Sequence, residues 1–317
     1  MTEQTLGIDP RARMRAEVWT GLNRPQKELL PKWFYDAAGS ALFDEITRLV
    51  EYYPTRTERA ILTDFGPCWL ARMRPRSLIE LGAGSAEKTR ILLEAMHAPG
   101  AVYVPVDISE AYLEAVAAEL KREFPDLTVI PARSDIALGL EVPPELPDPS
   151  VFAFLGSTIG NFDRPAAVRL LARVRAALRP SDRFLMGADL VKDTGIIERA
   201  YNDARGITAE FNRNVLRVLN RDIETDFDLD AFVHHAFFNV EAKRIEMHLV
   251  ARSDQRVRVP HRGTVEIAAG ESIRTEISCK YDRATVEALF NEAGLEIENW
   301  VTDARDWFAL VVGRLRA

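Results

Sequence analysis

The sequence predicts an α/β fold: a parallel sheet wound on both faces by helices, interrupted late in the chain by an α+β insertion. Three observations predict it. From about residue 56 onward, short apolar segments alternate with amphipathic helical stretches, the order of strands joined by crossover helices. Between 231 and 281 this gives way to successive alternating segments with short gaps, which suit hairpins better than crossovers. The first apolar segment also runs straight into a glycine turn, "LGAG", at the place where open α/β sheets meet their ligands.

Taken in order, the first 56 residues lack a sheet of their own and are expected to pack on the insertion. The parallel unit begins with "SLIEL" (77–81), followed by a helix through "AEKTRILLEAMHA". Strand "VYVPVD" (102–107) and the helix "SEAYLEAVAAELKREF" form the second repeat, and "LTVIPA" (127–132) is the third strand. After the proline-rich loop "EVPPELPDPS" comes "VFAFLG" (151–156), then a helix over 165–179 and the strand "DRFLMGADL". Residues 195–222 read as helices and 231–281 as strands, before helix "DRATVEALFNEAGL" and strands "EIENWVTD" and "DWFALVVGRL" restore the alternation. The division that results is 57–192 plus 282–317 for the α/β domain and 1–56 plus 193–281 for the other, with a cleft expected between them.

Bulk properties narrow the function. At 317 residues the chain has room for two lobes, at roughly 100 to 200 residues each. Its 41 Lys and Arg are scattered among 48 acidic residues for a net charge of −7, so no basic stripe marks a nucleic-acid partner. The first residues lack an apolar signal core, and no run of about 18 uncharged apolar residues follows, so a cytoplasmic protein without a membrane partner is expected. Cys68, in a predicted helix, and Cys279, in a predicted strand, show no metal-type spacing and read as buried thiols. Of the histidines, His97, His234, His235, His248 and His261, the adjacent pair His234 and His235 project to opposite faces of a strand and cannot chelate together, so no metal site is expected.

In "IELGAGSAEKTR", Gly82 and Gly84 allow a tight turn and close approach to a ligand. A Rossmann-like dinucleotide fingerprint asks for a third glycine where Glu87 stands, and a carboxylate at a helix amino terminus repels a pyrophosphate. S-adenosylmethionine has no phosphate and suits the turn better. Lys88 could reach its methionine carboxylate, Asp107 at the end of the second strand could accept from both ribose hydroxyls, and Asp135 beyond the third strand could read the adenine amino group.

The remaining motifs are more specific. "PKWFYDAAGSALFDEITRLVEYYPTRTERAIL" (31–62), "FLGSTIGNF" (154–162), "DLVKDTG" (189–195), "AYNDARGITAEFNRNVL" (200–216), "RIEMHL" (244–249) and "TEISCKY" (275–281) closely resemble the histidine-specific Nα-methyltransferases that open ergothioneine biosynthesis. The match runs from about residue 15 to the carboxyl terminus. It departs from the family at Val50, where proline is usual, and at Ile136, where an aromatic often stands.

The resemblance implies a class I methyltransferase sheet with an inserted substrate-binding domain. It also implies a monomer that uses S-adenosylmethionine to methylate the α-amine of L-histidine three times, giving hercynine. Tyr52, Asn161 and Tyr201 would hold the amino acid's backbone groups. The Gly156 carbonyl would lie beside the reacting amine, and Tyr35 close to both donor and amine. Glu276 and Ser278 would grip the imidazole, with Met247 lining that end. The related alternatives are an N-methyltransferase for another aromatic amino acid such as tryptophan, and a non-catalytic protein that binds the donor or an amino acid.

Residue chemistry bears on these roles. Glu276 and Ser278 are two apart in a strand and share a face, offering an acceptor and a hydroxyl to two ring nitrogens. Tyr52 and Tyr53 precede Pro54, where a loop rather than a helix is expected. A tyrosine hydroxyl can donate to a carboxylate without adding charge, and the Asn161 amide can accept from an amine while donating to a carboxylate. Along "RIEMHL", Met247 shares a face with Ile245 and Leu249 and reads as core, which puts His248 on the solvated side.

Overall fold

The computed structural model describes residues 9–96, 99–108 and 110–316, without the side chains of 110–112; His97 therefore lies outside the described residues. The chain divides into two compact units, Tyr53–Lys192 with Ser278–Ala317, and Met1–Tyr52 with Asp193–Ile277. The boundary of the second segment falls inside one strand, Ser272–Cys279.

The first of these units is built on an eight-stranded sheet. Its order is Leu295–Thr302, Phe308–Leu315, Arg183–Asp189, Ser150–Phe154, Ser77–Leu81, Val102–Asp107 and Thr128–Val129, with Ala132–Arg133 also pairing Val102–Asp107. The strands from Arg183–Asp189 to the Thr128 edge run parallel, and Phe308–Leu315 is antiparallel to both of its neighbours. Chain order reverses between Ser77–Leu81 and Ser150–Phe154, so the crevice for a ligand opens beyond the carboxyl ends of these two strands.

Strands buried on both faces read as continuous apolar runs, yet their side chains still alternate. Ile79, Leu81, Val104, Val106, Phe152 and Phe154 join one core, while Leu78, Tyr103, Val151, Ala153 and Leu185 join the other. The helix Arg164–Ala177 starts on Asp163, whose carboxylate accepts the Ala166 N–H at 2.9 Å, and Arg283–Ala293 starts on Asp282 in the same manner.

Three local expectations are corrected here. Tyr53 and Pro54 open the helix Tyr53–Met73 instead of lying in a loop, because proline in a first turn loses no intrahelical bond. The single strand expected over 127–132 is two short pieces, Thr128–Val129 and Ala132–Arg133, divided at Pro131, which has no N–H to give a ladder. The helix expected from Ala86 begins at Thr89, since Ala86 takes a left-handed φ of 52° within the turn.

The other unit carries a sheet in the order Lys27–Glu28, Ser272–Cys279, Arg244–Ala251, Phe232–Asn239, together with the hairpin Gln255–Val259 and Gly263–Ile267. The long helix Ile207–Ile223 buries Phe211, Val215, Leu216 and Leu219, and packs on Ala37–Thr47 and the Phe232–Asn239 strand. No helix among the described residues is long and apolar enough to cross a membrane.

Candidate active site

In the glycine turn, Gly82 and Gly84 have φ of 67° and 49°, the left-handed region that glycine occupies without strain. The Gly82 and Ala83 N–H groups donate to the Val106 carbonyl at 2.8 and 3.1 Å, pinning the turn to the neighbouring strand. Asp107, at the end of that strand, accepts from the Gly84 N–H at 3.3 Å and the Ile108 N–H at 2.7 Å. A carboxylate is an acceptor of the kind that a ribose diol requires. A Cβ placed on Gly84 would meet nothing within 4 Å, so the turn faces open space. These residues fit an adenosine-bearing donor. Asp135 caps its own turn by accepting the Ala137 N–H at 3.1 Å.

Beyond the other switch-point strand lies Gly156, with φ of 75°. Its N–H donates to both oxygens of Glu58, at 2.8 and 2.9 Å, and Glu58 is wholly buried. The same carboxylate is ion-paired with Lys88. Glu87, next to it, pairs with Arg59. Lys88 thus stands near Gly156, with its Nζ 3.1 Å from where a Gly156 Cβ would be.

The turn Thr158–Asn161 packs directly on the end of the Ser272–Cys279 strand. A Cβ on Gly160 would lie 2.8 Å from the Cys279 carbonyl oxygen and 3.5 Å from Ser278 Oγ, so only glycine lets the turn pack this closely on the strand end. Tyr281 fastens the turn by donating to the Ile159 carbonyl at 3.1 Å.

Behind Ser278 is a buried charged network that sequence reasoning missed. Lys280 donates to Ser278 Oγ at 2.8 Å and is ion-paired with Asp189 at 2.8 Å. Asp189 also pairs with Lys192, accepts the Tyr53 hydroxyl at 2.8 and 2.9 Å, and donates its own N–H to Ser157 Oγ at 2.9 Å. Burial works to raise the Asp189 carboxyl, but the two ammonium groups outweigh it and hold it below the usual range. Burial lowers Lys192 to about 8 despite that partner. The only sequence signal was alternation, since Ser278 and Lys280 are two apart.

In the other unit, three of the expected ligand residues meet in one aromatic cluster. Tyr35 stands edge-on to Phe43 and Phe211 at 5.8 and 5.7 Å, Phe43 edge-on to Tyr52 at 6.3 Å, and Tyr52 edge-on to Tyr201 at 6.1 Å. Tyr201 is held further by its carbonyl, which accepts from His234 Nε2 at 2.8 Å. The Asn212 side chain is 2.9 Å from His234 Nδ1 through its amide nitrogen, a donor, so Nδ1 accepts and Nε2 carries the proton. Burial lowers the His234 pKa, in keeping with a neutral ring. Asn212 accepts in turn from Thr275 Oγ at 2.6 Å, which ties this group to the residue before Glu276. Met247 is 1% exposed, as its strand face predicts, and Glu276 is half-buried.

Two expectations fail. His248 is buried rather than solvated, because Phe237 stacks on it at 5.4 Å, Ser272 lies 3.0 Å from Nδ1 and Glu246 lies 3.1 Å from Nε2. The two cysteines are not buried thiols: Cys68 is exposed on its helix and Cys279 is half-buried.

A parallel sheet flanked by an inserted antiparallel strand, with a glycine turn and a strand-end aspartate at its switch point, defines a class I, S-adenosylmethionine-dependent methyltransferase. A family described as histidine-specific, SAM-dependent methyltransferase matches residues 14–315. The chain is 45% identical over 300 residues to "Histidine N-alpha-methyltransferase" of Mycolicibacterium smegmatis, covering 94% of this chain and 93% of that one. It is 44% identical over 302 residues to the protein of the same name from Mycobacterium tuberculosis, with the same coverage of both chains. It is also 31% identical to "Ergothioneine biosynthesis protein 1" of Neurospora crassa, across 89% of this chain and 33% of that longer protein. The chain belongs to the histidine-specific, S-adenosylmethionine-dependent methyltransferase family.

Proposed function

We propose that this enzyme methylates the α-amine of free L-histidine three times to give hercynine, the first step of ergothioneine biosynthesis. What carries the assignment is the extent of the family match, residues 14–315, which includes the glycine turn and the strand bearing Glu276 and Ser278 alike. We also take it to act as a cytoplasmic monomer on a diffusible substrate.

S-adenosylmethionine supplies the methyl group as a sulfonium electrophile. In this proposal Gly82, Gly84 and Asp107 hold its adenosine, Asp135 reads the adenine, Lys88 reaches the carboxylate of its methionine tail, and Tyr35 lies close to both donor and amine. The chain's remaining task is to hold a neutral amine in line, and positioning of this kind supplies a large part of a barrier reduction. Tyr52 and Tyr201 hold the substrate carboxylate by hydroxyl donation, Asn161 accepts from the amine while donating to the carboxylate, and the Gly156 carbonyl orients the amine lone pair. Glu276, Ser278 and Met247 receive the ring. Each transfer leaves a positive nitrogen that must shed a proton to water before the next, until the third leaves a permanent cation beside tyrosine rings that tolerate it.

The test is mass spectrometry of the protein with S-adenosylmethionine and either free L-histidine or L-tryptophan. Histidine should gain three methyl groups with release of S-adenosylhomocysteine. Turnover of tryptophan in preference, or none with either amino acid, would reject the assignment.

A further inference from the structure

Asn212 is 0% exposed on the helix Ile207–Ile223, and both polar atoms of its side chain are bonded within the same unit. Its amide nitrogen lies 3.0 Å from the His248 carbonyl, which can only accept, so the orientation of the amide is settled. The nitrogen's other proton goes to His234 Nδ1 at 2.9 Å, and the amide oxygen accepts from Thr275 Oγ at 2.6 Å. With Nδ1 accepting, His234 carries its proton on Nε2 and gives it to the Tyr201 carbonyl at 2.8 Å. The bonds run in one direction, from Asn212 through His234 to the last residue of the helix Thr194–Tyr201.

The last carbonyls of a helix have no partner inside it and need one from elsewhere. Holding this helix on the strand Phe232–Asn239 does not require His234, because Asn202 already donates to the Ala236 carbonyl of that strand at 3.0 Å. What His234 adds is a fixed place for Tyr201 itself, whose ring stands edge-on to Tyr52 at 6.1 Å. A satisfied buried polar network holds one arrangement where apolar packing tolerates several. We propose that Asn212 and His234 are positioning residues for the substrate, a relay that holds Tyr201 where it meets the amino acid. The inference rests on the assignment of Tyr201 to substrate binding made above.

The test measures KM for L-histidine and for S-adenosylmethionine in His234→Leu, which comes close to the ring in size and has no polar side-chain atom, and in His234→Gln, which keeps a donor and an acceptor. In His234→Leu the histidine KM should rise by about tenfold, the order expected for one buried hydrogen bond left unmade. Its kcat should change less than about threefold and its S-adenosylmethionine KM less than about twofold. In His234→Gln the histidine KM should stay within about threefold of wild type. An unaltered histidine KM in His234→Leu, equal rises for the two substrates, or no recovery in His234→Gln would overturn the inference. If His234→Leu does not fold, Asn212→Ser, too short to reach Nδ1, is held to the same expectations. In the wild type, nitrogen-15 NMR of the ring should find His234 neutral with its proton on Nε2, and a proton on Nδ1 would reverse the relay and overturn it as well. Tyr201→Ala separates this failure from that of the assignment beneath. An unchanged histidine KM there removes Tyr201 from the site and the inference with it, whereas a raised one beside an unaltered His234→Leu strikes the relay alone.

Discussion

The Glu58 carboxylate accepts the Gly156 N–H through both oxygens and is ion-paired with Lys88, so one buried acid on the helix Tyr53–Met73 fixes both the loop after one switch-point strand and the lysine after the other. Space confirms how tightly it is held, because a Cβ on Gly187 would collide with Glu58 Oε1. Replacing Glu58 with Ala strands a part-buried N–H and a largely buried ammonium at once. Removing one partner of a buried pair costs about 3–5 kcal/mol, and the partial exposure of Lys88, 19%, points to the lower end. Urea denaturation should show a lower midpoint with an unaltered slope, corresponding to a loss of about 3 kcal/mol, and Glu58→Gln, which keeps an acceptor for Gly156, should lose less. Equal losses in the two variants would mean that Gly156 is not what Glu58 secures.

Asp107 is proposed to take the donor's ribose hydroxyls, and a charged acceptor of this kind is worth about 1.5–3 kcal/mol. Asp107→Ala should raise the KM for S-adenosylmethionine by about 10-fold to 150-fold while kcat recovers at saturating donor. The histidine KM should stay within about twofold. Part of the effect will come through the turn, since Asp107 also caps the Gly84 and Ile108 N–H groups. Calorimetric titration showing intact donor affinity would reject the ribose assignment.

Glu276 faces the opposite test. Its replacement by Ala should weaken histidine binding by about 10-fold to 150-fold, for loss of one charged acceptor, and leave donor binding unchanged. Competition between histidine and tryptophan adds a second readout. The preference for histidine should shrink in the variant, and an unchanged preference would remove Glu276 from ring recognition.

Local patterns carried much of this structure into the sequence. The glycine turn, the strand that follows it and Asp107 are neighbours in the chain, so spacing alone could place them. Tyr35, Tyr52 and Tyr201 are not, and the cluster that joins them is made by Phe43 and Phe211. Packing of distant helices has no local signature, so only family resemblance brought these residues together beforehand. His248 shows the limit of alternation: a period of two says which side of a strand a residue takes, not whether that side is covered, and here Phe237 and the Glu246 side chain cover it. Lys280 was invisible for a different reason. A lysine at a strand end reads as solvated, and nothing near it in the chain reveals that Asp189 is buried beside it.

Glu80 lies two residues before Gly82, wholly buried, with the Tyr103 hydroxyl donating to Oε2. Burial lifts its carboxyl from 4.5 to about 7, against neighbouring hydroxyls and the Lys88 charge, which pull it down. A carboxyl raised on folding keeps its proton in the folded chain after the unfolded chain has released it. Its contribution to stability is thus complete below pH 4.5, falls as pH rises toward about 7, and is constant above that. Each pH unit between those two values is worth about 1.36 kcal/mol, so the whole loss is on the order of 3 kcal/mol. Glu80→Gln keeps the shape and an acceptor for Tyr103 but has no proton to lose. Guanidinium denaturation should find the variant close to wild type at about pH 5 and more stable by up to about 3 kcal/mol at about pH 7.5. A stability difference that stays the same at both values would mean that Glu80 ionises as freely in the folded protein as in the unfolded chain, and that the acid beneath the glycine turn is not held neutral by burial.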